Sequence, residues 1–157
     1  MSKEHHYTSK IVWTGNNGEG TIKSDLYERS FDIHIEGKPT IHASSDIPFR
    51  GDGNKHNPED FLLSALASCH MLWYLHLCAD AGVIVQEYSD QAIGTMLQLP
   101  SGGGYFTSVT LQPIVIVKEE SMILRANELH EKANEKCFIA NSLNFKVTHN
   151  PKAIVKK

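Results

Sequence analysis

The chain has 157 residues, 41% of them hydrophobic and 21% charged, with 15 Lys and Arg against 18 Asp and Glu for a formal net charge of −3. That length suits one domain with a sizeable core, and a slightly acidic balance without a long basic run argues against nucleic acid or an anionic membrane as partner. Three cysteines are too few for a disulfide scaffold, the first residues lack a signal-peptide core, and no run reads as the ~20 apolar residues that span a bilayer, so a reducing, cytoplasmic setting is expected.

Residues 9–14 and 31–35 alternate apolar and polar side chains, the period of half-buried strands. Between them, Gly15-Asn16-Asn17-Gly18-Glu19-Gly20-Thr21 is turn chemistry. Its glycines are followed by neither Gly-Lys-Ser/Thr nor a helix start, so a phosphate loop is disfavoured. Residues 1–50 therefore read as an N-terminal sheet block. Residues 43–56 carry Pro48, Gly51 and Gly53 and form an irregular connection.

A long helix is predicted over 57–81. Asn57 is a good N-cap, Pro58 takes the favoured first helical position, and Glu59 and Asp60 complement the dipole of the first turn. From Phe61 to about Ala81 the helix is apolar on nearly every side, as expected of a helix buried in a core or against a partner, and Gly82 ends it. Residues 83–149 then read as strands over 83–88, 91–99, 106–118 and 143–149, with a hairpin connection at 100–104 and an amphipathic helix over 119–137. The order is that of an α+β fold, helices packed on antiparallel sheet.

Chemistry concentrates on the cysteines and histidines. Cys69, His70, His76 and Cys78 lie within ten residues, but at about 100° per residue they cannot converge on one zinc ion from a single helix. His70 and His76 read as core or interface imidazoles. Cys78 reads as packing. Cys69 has small neighbours, Ala65, Ala67 and Ser68, that leave its sulfur approachable. It lies ten residues beyond Glu59, about 15 Å down an ideal helix, too far for the N-terminal dipole to lower its pKa. A cation must come from outside the helix, with Arg50 the first choice and Arg29 the second.

The Asn57-Pro58-Glu59 helix start, the cysteine ten residues after the glutamate, and the Ala133-x3-Cys137 segment before a last strand resemble the OsmC/Ohr family of osmotically inducible and organic hydroperoxide resistance proteins. The likeness spans nearly the whole chain and implies one OsmC-like domain over 1–157. It also implies antiparallel sheets around a long central buried helix and a second helix, in an intertwined homodimer with active sites at the subunit interface. It further implies a redox-active antioxidant enzyme of the stress response, a peroxidase with peroxiredoxin-like activity on organic hydroperoxides. In that reading Cys69 is the peroxidatic thiol, Cys137 the resolving thiol, and Glu59 the carboxylate that orients Arg50 or Arg29 beside the sulfur. No bound cofactor or metal is implied; an external dithiol or lipoyl-type reductant regenerates the thiols. Family members often carry Pro directly after the second cysteine, where this chain has Phe138.

If residues 57–80 form one straight helix, Glu59 and Cys69 of one chain are about 15 Å apart on different faces. Either a break in the helix or an antiparallel partner helix from a second subunit could reunite them. Two other classes of function compete. One is a non-catalytic module that holds a small apolar ligand between helix and sheet, with both cysteines merely buried. The other is an acyl-transfer enzyme using Cys69 with His70 or His76, disfavoured because adjacent helical residues point about 100° apart and His76 is nearly two turns away.

Overall fold

The computed structural model describes residues 2–156. The chain divides into two compact units, with the boundary in sequence between Phe61 and Leu62.

The first unit holds a three-stranded antiparallel sheet of β1 (Lys10–Trp13), β2 (Phe31–His34) and β3 (Ile41–Ala43), with β2 in the centre. The alternating segments fall where the sequence puts them. The third strand, only three residues long, has an alternation over residues 40–44 too short to read by itself and owes its place to pairing of Ile33 with Ile41 and Phe31 with Ala43. The glycine-rich segment after β1 is a set of turns in which Asn16 Oδ1 accepts from the amides of Gly18 and Gly20, both at 2.9 Å. A short 3-10 turn, Ile47–Phe49, ends at Arg50, whose φ of 63° makes it the one non-glycine residue with positive φ among those described. A left-handed backbone at a residue with a Cβ costs of order 1 kcal/mol and persists only where its surroundings impose it.

Helix α1 (Pro58–Asp80) begins in the first unit and runs unbroken through 23 residues. Its start is a reciprocal capping box: the Asp60 amide donates to Asn57 Oδ1 at 2.8 Å and the Asn57 amide to Asp60 Oδ2 at 3.2 Å. Its end is a Schellman motif at Gly82, φ 72°, in which the Val83 amide donates to the Cys78 carbonyl and the Gly82 amide to that of Ala79. By length and composition this helix could cross a bilayer, contrary to the expectation that no such run exists; polar Ser64, Ser68, His70 and His76, dispersed through it, hide the run from inspection. Within the chain it is a core helix on one side only. Leu66, His70, Tyr74 and Cys78, spaced four apart, form the buried stripe, while Leu72 is 63% exposed.

In the second unit follow β4 (Val85–Asp90), β5 (Ile93–Gln98), β6 (Gly104–Leu111), β7 (Pro113–Val117), α2 (Ile123–Lys136), β8 (Lys146–His149) and β9 (Lys152–Val155). Two mixed sheets result, in the orders β4-β7-β9 and β5-β6-β8. The antiparallel pairs β4/β7 and β5/β6 are as expected, but β8 runs parallel to β6 and β9 parallel to β7. The crossover through α2 brings the chain back in the direction of the strands it left, which a purely antiparallel reading misses. The expected strand 106–118 is two strands interrupted at Gln112, and each chain segment changes sheet at the same level. There Asp90 Oδ1 accepts from the Gln112 amide at 2.7 Å and the Asn150 amide donates to the Leu111 carbonyl at 2.8 Å. Strand β9, four residues long and directly after Pro151, has no counterpart in the sequence reading.

Two apolar clusters fill the second unit. One gathers Tyr74, Cys78, Val115, Val117, Ala126, Leu129 and Ala133; the other gathers Leu66, Val109, Leu111 and Cys137, with Cys69 packed at its edge. Between α1 and α2 runs a buried polar contact that the sequence does not announce. His70 Nε2 and His130 Nδ1 are 3.0 Å apart, the two ring planes differ by 7°, and Tyr74 stacks on His130 with centroids 3.8 Å apart. Burial foremost, with repulsion from neighbouring imidazoles including His149, pushes His70 down to about 4 and His130 down to about 3.

Both rings are therefore neutral in the folded protein where unfolded histidines, at about 6.5, take up protons. The stability they confer is complete above about pH 6.5 and falls as pH drops towards 4, with a limiting slope of about 2.7 kcal/mol per pH unit for two groups. Urea unfolding between pH 7 and 4.5 should follow this acid loss, and His130→Leu should flatten it; an unchanged slope in the variant would refute the assignment.

Candidate active site

Cys69 lies in the middle of α1, offset by about 60° from Leu66 and 100° from His70 on the helix wheel, so it sits at the margin of the buried stripe and is only partly covered. It opens into a cavity of about 340 Å³ lined by Cys69, Leu72, Trp73, His76 and Phe138. Three of these walls are apolar. The polar one, His76, is seven residues from Cys69 on the same face and pairs with Asp80, Nε2 to Oδ2 3.5 Å. Seven residues are about 10.5 Å of helix, and the His70 ring is turned to His130, so neither histidine forms a Cys–His dyad with Cys69.

Cys137 is fully buried at the C-cap of α2, where the chain leaves the helix with φ −68° and ψ 110°. Its thiol lies beside that of Cys69, which packs against the same apolar cluster, close enough for the two to influence each other. Burial first, and then this contact with Cys69, push the Cys137 thiol up to about 11, although the amides of Ala140 and Ile139 pull the other way; the Ala140 amide lies 3.4 Å from the sulfur. Cys137 thus keeps its proton at neutral pH. All three cysteines are free. Cys78, also buried, is raised by burial and belongs to the core with Tyr74.

The structure therefore brings Cys69 and Cys137 together. It does not bring Glu59 to either arginine: among the described residues no ion pair joins Glu59 to Arg29 or Arg50, and Glu59 Oε2 is buried without a partner. Arg29 donates to the carbonyls of Tyr27 and Ser24 at 2.6 and 2.5 Å and lies over the Tyr27 ring. Arg50 donates to Ser24 Oγ at 3.1 Å. Both arginines line a polar pocket of about 250 Å³ in the first unit with Ser30, Ser44 and Asp52. The break in the helix that could have returned Glu59 to Cys69 is absent, because α1 is continuous.

Of the two neighbours that flank Cys137, Phe138 stood out in the sequence and Lys136 did not. The Lys136 ammonium sits 5.5 Å from the centroid of Trp73, and the Phe138 ring meets Trp73 edge to face at 5.8 Å. The one sequence signal was Phe138 where the family often has proline.

Fold and site together define an α+β protein with a paired-thiol centre beneath a mostly apolar cavity. Residues 51–152 match the family model for OsmC-like protein, and the chain belongs to that family. YmaD of Bacillus subtilis strain 168, described as uncharacterized, is 25% identical over 157 residues, covering 98% of this chain and 96% of its own. An OsmC-like protein of unknown function from Vibrio cholerae superimposes with a TM-score of 0.83 at 27% identity, covering 94% of this chain and 99% of that one. An organic hydroperoxide resistance protein from Elizabethkingia anophelis shares the fold at 16% identity, with a TM-score of 0.67 over 98% of this chain and 100% of that one.

The contact between the thiols has a measurable sign. Removing the Cys69 sulfur takes away an influence that raises Cys137, so Cys69→Ala should lower the pH midpoint for alkylation of Cys137, followed by mass spectrometry. A midpoint that stays or rises would contradict the contact.

Proposed function

We propose that this protein is a thiol-dependent peroxidase that reduces organic hydroperoxides to alcohols. One observation carries the reading: a partly exposed thiol at the floor of an apolar cavity, packed beside a buried, protonated second thiol. The Cys69 thiolate attacks the distal peroxide oxygen. The O–O bond breaks, the leaving alkoxide takes a proton to become the alcohol, and Cys69 becomes a sulfenic acid. Cys137 then attacks the Cys69 sulfur, the S–S bond forms and water leaves. An external dithiol, of lipoyl type, reduces the disulfide by exchange, with no bound cofactor. Such a cycle suits a reducing cytoplasm.

A guanidinium stabilises the thiolate and the charge growing on the peroxide. Arg50 is assigned this role ahead of Arg29, because Arg29 is bound to two carbonyls and an aromatic ring while Arg50 makes one side-chain bond from a strained backbone. Glu59, with an unpartnered carboxylate oxygen, is the group to orient it. Cumene hydroperoxide, one equivalent, should consume two thiols and link Cys69 to Cys137. Cys69→Ser should abolish the loss, Cys137→Ser should leave a sulfenic acid on Cys69, and Arg50→Met should slow oxidation of Cys69 by about 100-fold, the size of one lost charge-stabilising donor. Thiols that stay free in the unaltered protein would instead mark a ligand-binding module.

The working form is a homodimer. Only 22% of the most apolar stretch of α1 is buried within one chain, and covering the remainder with a second copy of the same helix removes that surface from water. Sedimentation at micromolar concentration should give a dimer mass. A stable monomer would sink the pairing.

A further inference from the structure

We infer that Trp73 is a positioning residue for disulfide closure: held between Lys136 and Phe138, it keeps the segment carrying Cys137 docked on α1 beside Cys69. The inference rests on the peroxidase reading for the step it serves, in which Cys137 condenses with oxidised Cys69. Trp73 is four residues after Cys69 and therefore on the same face of α1. It is touched by the residue before Cys137 and the residue after it, the Lys136 ammonium at 5.5 Å and the Phe138 ring at 5.8 Å with planes 60° apart. Cys137 itself is the point at which α2 ends and extended backbone begins, followed by the 3-10 turn Ala140–Ser142. A helix terminus is free to fray, and here a cation–π contact and an edge-to-face aromatic contact hold it from both sides. The Phe138 ring is 71% exposed and makes little other use of its apolar surface. A proline at this position would fix the turn through its own backbone; this chain fixes it through Trp73.

Closure needs Cα atoms within about 7 Å and the right approach of one sulfur to the other. The quantity that Trp73 controls is the effective concentration of Cys137 at Cys69, which is measured without peroxide. Oxidised glutathione and Cys69 form a mixed disulfide and release one glutathione. Cys137 then displaces the second glutathione, giving the Cys69–Cys137 disulfide and transferring its proton to the leaving thiolate. The equilibrium over a range of glutathione ratios gives the effective concentration for each variant.

Trp73→Leu should lower that effective concentration about tenfold, the combined strength of the two contacts, and Trp73→Phe, which keeps an aromatic face, should restore most of it. Phe138→Leu and Lys136→Met should each give a smaller drop, and they read the same grip should Trp73→Leu lose its helical circular dichroism. An effective concentration equal to that of the unaltered protein in Trp73→Leu, or in both flanking variants together, would overturn the inference. If the unaltered protein closes with glutathione but leaves its thiols intact with cumene hydroperoxide, the peroxidase reading fails while the positioning role stands.

Discussion

The 3.0 Å contact between His70 and His130 fixes how the two helices of the second unit meet, and the thiol centre depends on that meeting. His70 lies in the middle of the buried stripe of α1, one residue after Cys69, and His130 lies seven residues before Cys137 on α2. Two neutral imidazoles can be buried where two charged ones cannot, and one must donate while the other accepts. The bond has a cost: His70 Nδ1 and His130 Nε2 are buried without partners. Leucines at both positions would avoid that cost and would equally fill the space, but they could slide past each other. A directional bond between α1 and α2, backed by the Tyr74 ring stacked on His130, admits one register.

That register makes two chemically similar thiols unequal. Cys69, at the edge of the stripe, keeps one side towards the cavity; Cys137, at the end of α2, is enclosed by Leu66, Val109 and Leu111. Burial penalises a thiolate, so the enclosed sulfur keeps its proton, while Cys69 is the sulfur that a molecule in the cavity reaches. In the proposed cycle, this difference in depth sets which thiol meets the peroxide first. A protonated Cys137 can also lie beside Cys69 without the repulsion that a second thiolate would bring.

Much of this was legible in the sequence where the signal is local. Asn57-Pro58 and Gly82 mark both ends of α1 because capping chemistry depends on a few adjacent residues, and the alternating segments become strands. Cys69 and Cys137 stood out as a pair through their family context. What depends on the return path of the chain was not legible. The parallel placement of β8 and β9 is decided by the crossover through α2, and the His70–His130 bond joins residues 60 apart, each of which reads singly as an ordinary buried histidine. Arg29 and Arg50 were identifiable as cations, but their engagement with Ser24 follows from the fold of the 15–30 loop, which carries no period.

The apolar character of α1 on all sides is the remaining constraint. One chain covers a single stripe of it, yet Glu59, with its unpartnered oxygen, lies on the same unbroken helix ten residues before Cys69. In the proposed antiparallel pairing, Glu59 of one helix comes level with Cys69 of the other only if the two cross midway between those positions, at residue 64. The side chains around that point are Ser64, Ala65 and Ser68, all exposed in the single chain and all small enough for close approach of two helix backbones. Ser68 Oγ already donates to the Ala65 carbonyl of its own helix at 3.2 Å, so its hydroxyl can face an apolar neighbour without losing a partner. The crossing point required by the chemistry thus coincides with the place where the helix surface is thinnest, and the bulky exposed Leu72 lies two turns away, where diverging helices leave room for it.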